Sequence, residues 1–574
     1  MEVMKIQFEA DTRRLNAMVA AMERDREPFF EYWRDIANLT RPMRPRFLRE
    51  QRESKRIKRQ GHIIDPTMQQ ASIVLRSGMM SGVSSPARPW TRLTVPDPDL
   101  AGFWPVKDWL YTVNDRMLSV FLKSNLYRVL PELYSDVGDF ATGCMIAERD
   151  FGSVTRFTSV PIGSYMIALD ARSLPAVFVR DFTMTVRQII HKFGRENPSY
   201  SGSLMAAISN NRTEQEFQII HIVEPNDDYK PQSGLAPFKK FSSVYAERGQ
   251  LSSSGGKVIS RSGMDIFRVM APRWSVTEGD VYGTDCPGMM SIGGAKALQL
   301  MERRKAQAIE HKVKPNVIVP PSMRNQAVNF LPGGENYDVS QDAKAGLRPT
   351  FQVNMDIREL KDDEDEKRRW IQKAYHADLF MSITSMDRRD RTTRAEIEAR
   401  VQEQLMAVGP VLEGLNDELF DPLIDIVFAD MKEAGLLPEA PPELHGVELN
   451  VEYISIMHQA QKAVTLGVLE RGAGFVLDLF AATQREEILD KIDWDMVVDE
   501  YHDASGSNPR ILVPTEVANQ VRADRAQAVA AERQRQNAIE GVKATKDLAS
   551  AKLNQGSALD ELVSQANAGQ MLPA

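Results

Sequence analysis

The spacing of apolar residues changes twice along this chain, and that constrains the fold more than any other feature. From Asp11 to Leu39 the positions Leu15, Met18, Val19, Met22, Phe29, Phe30, Trp33 and Ile36 fall mostly three or four residues apart, the repeat of one helix face. Pro28 interrupts that stripe and predicts two helices or a kinked one. From Cys144 to about Gly283 the repeat shortens towards two. Strands are expected at Met145–Arg149, Arg156–Val160, Tyr165–Asp170, Ala176–Phe182, Phe217–Val223, Phe241–Ala246 and Ile266–Ala271, with a short helix at Val186–Phe193. Past Pro287-Gly288 the helical repeat returns at Ser291–Lys312 and stops before Pro315. The pattern predicts a mixed α+β chain, a β-rich region inserted into a helical framework.

Smaller elements complete this reading. Asp65–Met80 reads as a helix running into the breaker cluster Ser81–Trp90, and Arg92–Val95 as a short strand. Val106–Leu130 reads as one amphipathic helix and Pro131–Phe140 as the start of another. Pro315–Val353 returns to short strands and turns, at Asn316–Val319 and Thr350–Val353. Met355–Leu379 is helical, Met381–Thr393 is a loop, and a long helix follows from Arg394 to about Gly435. Ala518–Asn537 is a helix by propensity, and the Ala/Gln/Ser/Gly-rich tail from Ser550 is expected to be partly disordered.

Charge narrows the partners. The 574 residues carry a net charge of −8, which argues against a protein that coats nucleic acid. Locally the balance differs. Arg41–Gln60 holds nine basic residues against Glu50 and Glu53, either a solvated loop or a contact for nucleic acid or an acidic neighbour. Lys296–Lys314 holds six basic residues and two acidic ones, whereas Met355–Asp378 holds six basic and eight acidic. No stretch approaches the ~18 apolar residues of a membrane span, so no membrane is expected. Met1–Ala10 does not read as a signal peptide. The two cysteines, Cys144 and Cys286, exclude a disulfide scaffold and fit a reducing compartment.

Signatures of catalysis are missing. Gly288–Lys296 has the glycine spacing of a phosphate-binding loop, but Gly294 stands where the lysine belongs, so it reads as a helix start. The eight histidines are scattered, no cofactor or metal site is expected, and no Gly-x-Ser-x-Gly elbow occurs. The run Asp362–Glu366 could suggest Mg²⁺, but five consecutive carboxylates point several ways around a helix and Lys367-Arg368-Arg369 follows. A structural or binding role is expected, and no enzyme.

Several motifs then agree in order with one family. Ser77–Trp90, with its Ser84-Ser85-Pro86-Ala87-Arg88-Pro89-Trp90 end, resembles the signature segment of head-to-tail connecting (portal) proteins of short-tailed bacteriophages. Arg273-Trp274, Tyr282-Gly283, Cys286-Pro287-Gly288, Pro315-Asn316-Val317, Thr393–Ile397 and Gly409-Pro410-Val411 with Leu415, Glu418 and Pro422 continue the likeness. Arg394-Ala395 stands where Ala-Thr is usual. The resemblance covers roughly residues 9 to 435.

The resemblance implies a ring of twelve subunits at one capsid vertex, through which double-stranded DNA is packaged and ejected. It divides the chain into a wing (1–288 and 394–440), stem helices (289–314 and 355–380), an α/β clip (315–354), a tunnel loop (381–393), a helical crown (441–514) and a C-terminal barrel or tail (515–574). The expected partners are the terminase large subunit, which would supply the missing ATPase, tail adaptors, the major capsid protein and the scaffolding protein. The protein would be a virion component assembled in the host bacterial cytoplasm. In that frame Arg388, Arg389 and Arg391 either approach the DNA backbone or pair with Asp387, Asp390 or a neighbouring subunit. Arg303, Arg304, Lys305, Glu364 and Glu366 are candidates for contacts between subunits in the stem. The competing readings are a ring-forming scaffold or tail component, and a Mg²⁺-dependent nuclease built on Asp362–Glu366.

Overall fold

The N-terminal stripe folds as one continuous helix, α1 (Glu2–Thr40), with Pro28 inside it. The two-helix alternative is therefore not what forms. An interior proline costs a helix about 3 kcal/mol, and here the flanking turns are held by packing. Arg26 donates to the carbonyls of Gly163 (3.1 Å) and Tyr165 (2.9 Å), while Trp33 is fully buried against Phe29 and Tyr282.

The computed structural model describes residues 2–42, 63–319 apart from 252, 254–255, 278 and 315, residues 329, 348–349, 357–379, 409–453 apart from 445 and 447–448, 456–505, 511–513 and 515–551. These form two compact units, one from Met1–Ala101 and Trp109–Gln461, the other from Gly102–Asp108 and Lys462–Ala574. After α1 come α2 (Thr67–Gly82), β1 (Thr91–Thr94), α3 (Pro98–Gly102), α4 (Trp104–Lys123), α5 (Leu126–Phe140), β2 (Met145–Asp150), β3 (Val154–Ser159), β4 (Tyr165–Leu169) and β5 (Pro175–Thr185). Next are α6 (Val186–Phe193), α7 (Gly202–Ser209), β6 (Glu216–Pro225), β7 (Phe241–Glu247), α8 (Arg248–Leu251), β8 (Val258–Met264), β9 (Val269–Met270) and α9 (Pro287–Val313). The remainder are β10 (Val317–Ile318), β11 (Arg348–Pro349), α10 (Ile357–Ala374), α11 (Asp421–Glu433), β12 (Asn450–Tyr453), α12 (Ile456–Thr483), α13 (Trp494–Ser505) and α14 (Thr515–Ala551).

The β-rich region is an antiparallel five-stranded sheet in the order β4-β5-β6-β7-β8, beside a three-stranded sheet in the order β3-β2-β9. Leu15, Val19 and Met22 of α1 pack on one face of the larger sheet, against Met166, Val179, Ile220, Ile222 and Val244. On the other face Ile189 of α6 and Leu204 of α7 pack against Ile219 and Tyr245. Being covered on both sides is why β6 is an almost unbroken apolar run. The one polar residue between Ile219 and Val223, His221, is stacked on Tyr245 at 4.0 Å and paired through Nε2 with Ser243 Oγ at 2.9 Å. Burial, with Arg180 and Lys192 nearby, holds that imidazole well below its ordinary pKa. Thr185 starts α6 with a capping box, accepting from the Gln188 N–H while the Gln188 side chain accepts from its own.

Four expectations shift. The stretch Val106–Leu130 is broken at Ser124-Asn125, because the Asn125 side chain leaves the helix path to bond both the N–H (2.8 Å) and the carbonyl (2.6 Å) of Phe157. Pro131 consequently lies inside α5 rather than at its start. Only Val269–Met270 of Ile266–Ala271 is strand, and α7 and β8 form where no element was expected. Residues 552–574 and the arginine-bearing loop 381–393 lie outside the described residues.

The breaker cluster after α2 closes on itself. Arg88 donates to the carbonyls of Ser81 (2.9 Å) and Gly82 (3.3 Å), and Ser84 pairs with Tyr134 at 2.6 Å. This delivers Trp90 into the core, stacked on Phe121 at 5.5 Å and tilted on Phe420 at 5.2 Å, with its indole N–H donating to Tyr127. Trp90→Ala should cost about 3–5 kcal/mol, the usual loss for a buried tryptophan. A urea unfolding midpoint that does not move would contradict this placement.

Candidate functional site

The helices that the charge count singled out, α9 and α10, pack on one another. Cys286 caps the start of α9, its Sγ accepting from the Met289 N–H and donating to the Asp139 carbonyl at 3.3 Å. Pro287 occupies the first turn, where no N–H is needed. Gly288 follows because nothing larger fits: a Cβ there would lie 2.1 Å from the Asp139 carbonyl oxygen. The glycine-spaced segment is thus a helix start pressed on α5.

Gly294 serves the second helix in the same way. A Cβ at that position would come within 2.8 Å of the Trp370 ring. Three contacts fix the direction of the pair: Gly294 meets Trp370, Glu302 meets Arg368, and Lys305 meets Glu364. As α9 advances α10 retreats, so the helices are antiparallel.

Their contact is a charge network within one chain. Lys305 bridges Glu302, at 2.8 Å, and the fully buried Glu364. Arg368 reaches Glu302, Asp65 at 2.9 Å and Asp365 at 2.7 Å. Gln299 accepts from the N–H of Ile64 (2.7 Å) and Asp65 (3.1 Å) and donates to the Asp65 carbonyl (2.7 Å), so the segment before α2 is bound to the pair. Burial pushes the Asp65 carboxyl up, but hydrogen bonds from Thr67 and the Arg368 cation outweigh it and hold the group below its usual value. Lys305 is raised: burial opposes its charge, and Glu302 and Glu364 more than compensate.

Where α10 ends, Tyr375 enters a polar centre in the core. Its hydroxyl donates to Asp139 Oδ1 at 2.9 Å, while Ser72 (2.9 Å) and Ser135 (3.2 Å) donate to Oδ2. Arg41 pairs beside it with the buried Asp136 at 2.9 Å. Burial pushes the Asp139 carboxyl up to about 6, against the pull of Arg41 and the hydroxyl donors. The centre joins α2, α5, the start of α9 and the end of α10. A second buried pair, Arg273 with Glu418, holds a wide π-type turn (Asn416–Phe420) before α11. There Glu418 accepts from the Arg273 backbone N–H at 2.8 Å and from Nε at 3.0 Å, and Nη2 also donates to the Ser173 carbonyl at 2.7 Å.

The sequence-predicted residues divide three ways. Lys305 and Glu364 meet each other in the same chain. Arg303, Arg304 and Glu366 are exposed on their helices. Arg388, Arg389 and Arg391 lie outside the described residues, as do residues 43–60 of the basic segment. Sequence reasoning missed Glu302, Arg368, Asp65, Asp139 and Tyr375. Glu302 with Lys305 and Asp365 with Arg368 carry a signal in their three-residue spacing. Among the described residues no group of three His, Cys, Asp or Glu could hold a metal ion, and no helix is long and apolar enough to cross a membrane.

These features sit on the very motifs that order the chain: Cys286-Pro287-Gly288 at the α9 cap, Arg273 and Glu418 in one ion pair, and Trp90 in the core. Residues 12–512 match the family model described as bacteriophage head to tail connecting protein. The chain belongs to this family. It is 39% identical over 568 residues to the portal protein of Salmonella phage epsilon15, covering 98% of this chain and 100% of that one. It is 35% identical over 539 residues to the probable portal protein of Bordetella phage BPP-1, covering 94% and 95%. Its role is that of a portal in phage DNA packaging, as a virion component at the head–tail junction.

Two measurements test this connector's internal wiring. Lys305→Met should cost on the order of 3 kcal/mol, because it leaves the Glu364 carboxylate buried without its cation, and adding Glu364→Leu should recover most of that. Additive losses in urea unfolding would contradict the pair. For Asp139 the folded pKa lies above the unfolded one, so the folded chain binds the extra proton between about pH 4 and 6. Its contribution to stability is therefore largest below that window and falls as pH rises through it, by roughly 2–3 kcal/mol for a shift of this size. Asp139→Asn removes the titration. Its stability relative to wild type should climb by that amount from about pH 4 to 7, and a flat difference would contradict the assignment.

Proposed function

We propose that twelve copies of this chain form a ring at one capsid vertex and that duplex DNA passes through its centre during packaging and ejection. In this reading residues 1–288 and 394–440 are the wing, α9 and α10 within 289–314 and 355–380 are the stem, and 315–354 are the clip. Residues 381–393 are the tunnel loop, 441–514 the crown and 515–574 a barrel or tail. The observation that carries the reading is the antiparallel α9–α10 pair, rooted at one end in the Asp139 centre, in a chain that matches the connector family over residues 12–512.

Charge supports the same reading. Phosphate contacts bind DNA strongly and without regard to sequence, so a conduit works best with few of them. A net charge of −8 with the basic groups gathered in short segments suits a wall that lets DNA slide. Because Lys305 and Glu364 pair with one another inside the subunit, Arg303, Arg304 and Glu366 are the three of the five candidates that face outward and are free to meet a neighbour. Rim charges of that kind set register more than affinity.

The chain acts as a conduit and not as a catalyst. The terminase large subunit supplies ATP hydrolysis and docks at the clip, and tail adaptors take its place after packaging. Major capsid and scaffolding proteins surround the wing while the ring is built in the host cytoplasm. Arg388, Arg389 and Arg391 carry the contact with the DNA backbone. Replacing all three with alanine should lower packaging yield or genome retention while rings still form. Unchanged packaging and retention would remove the DNA-contact assignment.

A further inference from the structure

The turn that closes α10 is strained. His376 has a φ of 52°, left-handed for a residue that carries a Cβ, and such a turn persists only where its surroundings impose it. Two contacts impose this one. The Tyr375 hydroxyl is tied to Asp139 at 2.9 Å, and the His376 ring stacks on Trp274, centroids 6.4 Å apart and planes 21° from parallel. The helical path resumes at once, with Ala377 and Leu379 buried.

A second irregularity lies where the chain returns. The π-type turn at Asn416–Phe420 faces Glu418 inward while Asp417 and Asp421 stay exposed. Single π-type turns frequently mark functional positions in helices. Glu418 accepts from both the backbone N–H and the guanidinium of Arg273, and a Cβ on Gly414 would stand 4.0 Å from the Arg273 carbonyl oxygen.

Arg273 and Trp274 are consecutive residues. One dipeptide therefore holds the chain on both sides of residues 380–408, the stretch that includes Arg388, Arg389 and Arg391. The dipeptide is itself tied down. Trp274 donates its N–H to the Ala141 carbonyl at 2.9 Å, Arg273 forms a β-bridge with Thr142, and the Arg273 guanidinium also donates to the carbonyls of Ser173 (2.7 Å) and Val281 (3.4 Å). Ala141 follows Asp139 by two residues, so the grips on Tyr375, His376 and Glu418 all lead back to the end of α5.

We propose that Arg273-Trp274 is a double clamp that positions the chain between His376 and Glu418 and so sets where its three arginines are presented to DNA. The inference rests on the DNA-contact reading above and deepens it. A long segment held at both ends by one rigid dipeptide samples fewer arrangements than a free one, and that freedom is removed before DNA arrives. Arg273 and Trp274 touch no DNA in this account; they act through the segment they hold.

Spin labels on assembled rings of the full chain test this, with Ser385→Cys as the labelled site, since Cys144 and Cys286 are buried. Label-to-label distances between subunits should be narrowly distributed in the otherwise native chain. Trp274→Ala should broaden them and lower packaging yield, because losing one aromatic contact cuts the seated population about tenfold. Trp274→Phe, which keeps a ring against His376, should restore both. Should Trp274→Ala not assemble, His376→Gly removes the same stack while relaxing the left-handed turn, and the same outcomes apply. Distances that stay narrow without the stack would overturn the clamp, and so would broadened distances with packaging intact. The DNA-contact reading fails on a different observation, normal packaging with all three arginines replaced by alanine, and the distances still decide the clamp in that case.

Discussion

A single buried carboxylate, Asp139, sets the frame for everything around it. Ionised carboxylates are costly in a protein interior unless donors surround them, and this one collects hydroxyls from α2, α5 and the turn after α10. Its own carbonyl meets the Cys286 thiol at the start of α9, and Gly288 presses against the same peptide group. The α9–α10 pair is therefore fixed at one end by a polar contact that tolerates little displacement, since moving any one segment strands a buried oxygen.

From that base the two helices diverge in what they present. Toward each other they offer Glu302, Lys305, Glu364 and Arg368, pairs that are satisfied inside the subunit. Outward they keep Arg303, Arg304 and Glu366. Internal pairs give the two helices their direction and register, and the outward charges stay exposed. The Arg273–Glu418 pair does for the π-type turn what Asp139 does for α9 and α10, tying the chain after residue 408 back to the β-rich region.

Much of the fold was legible because period reports burial. α1, α6 and the strands from β2 to β7 each bury one face or two, and their apolar spacing records it. β8 escaped notice because it is an edge strand with little of its surface buried, so Val258–Met264 carries no clean alternation. α7 was hidden by its Gly/Ser surroundings, although Ser201 accepts from the Leu204 N–H as a helix cap should. The site was less legible. Three-residue spacings within α9 and α10 could be read, but Ser72, Asp139 and Tyr375 are drawn together from distant parts of the chain. The one local clue was chemical: Asp136 and Asp139 sit among Leu133, Val137 and Phe140 on the apolar face of α5, where a carboxylate needs a reason to be. Lys305 and Glu364 show the converse, since charge counting pointed outward and geometry pairs them within one chain.

The central claim is that copies of this subunit close into a ring with the α9–α10 pairs around a central channel. Cryo-electron microscopy of the purified full-length protein tests it most directly. The account predicts closed twelvefold rings in which each stem pair runs beside the channel with Arg303, Arg304 and Glu366 towards neighbouring subunits. Monomers, two-fold dimers, or rings with the stem pairs turned away from the channel would contradict it.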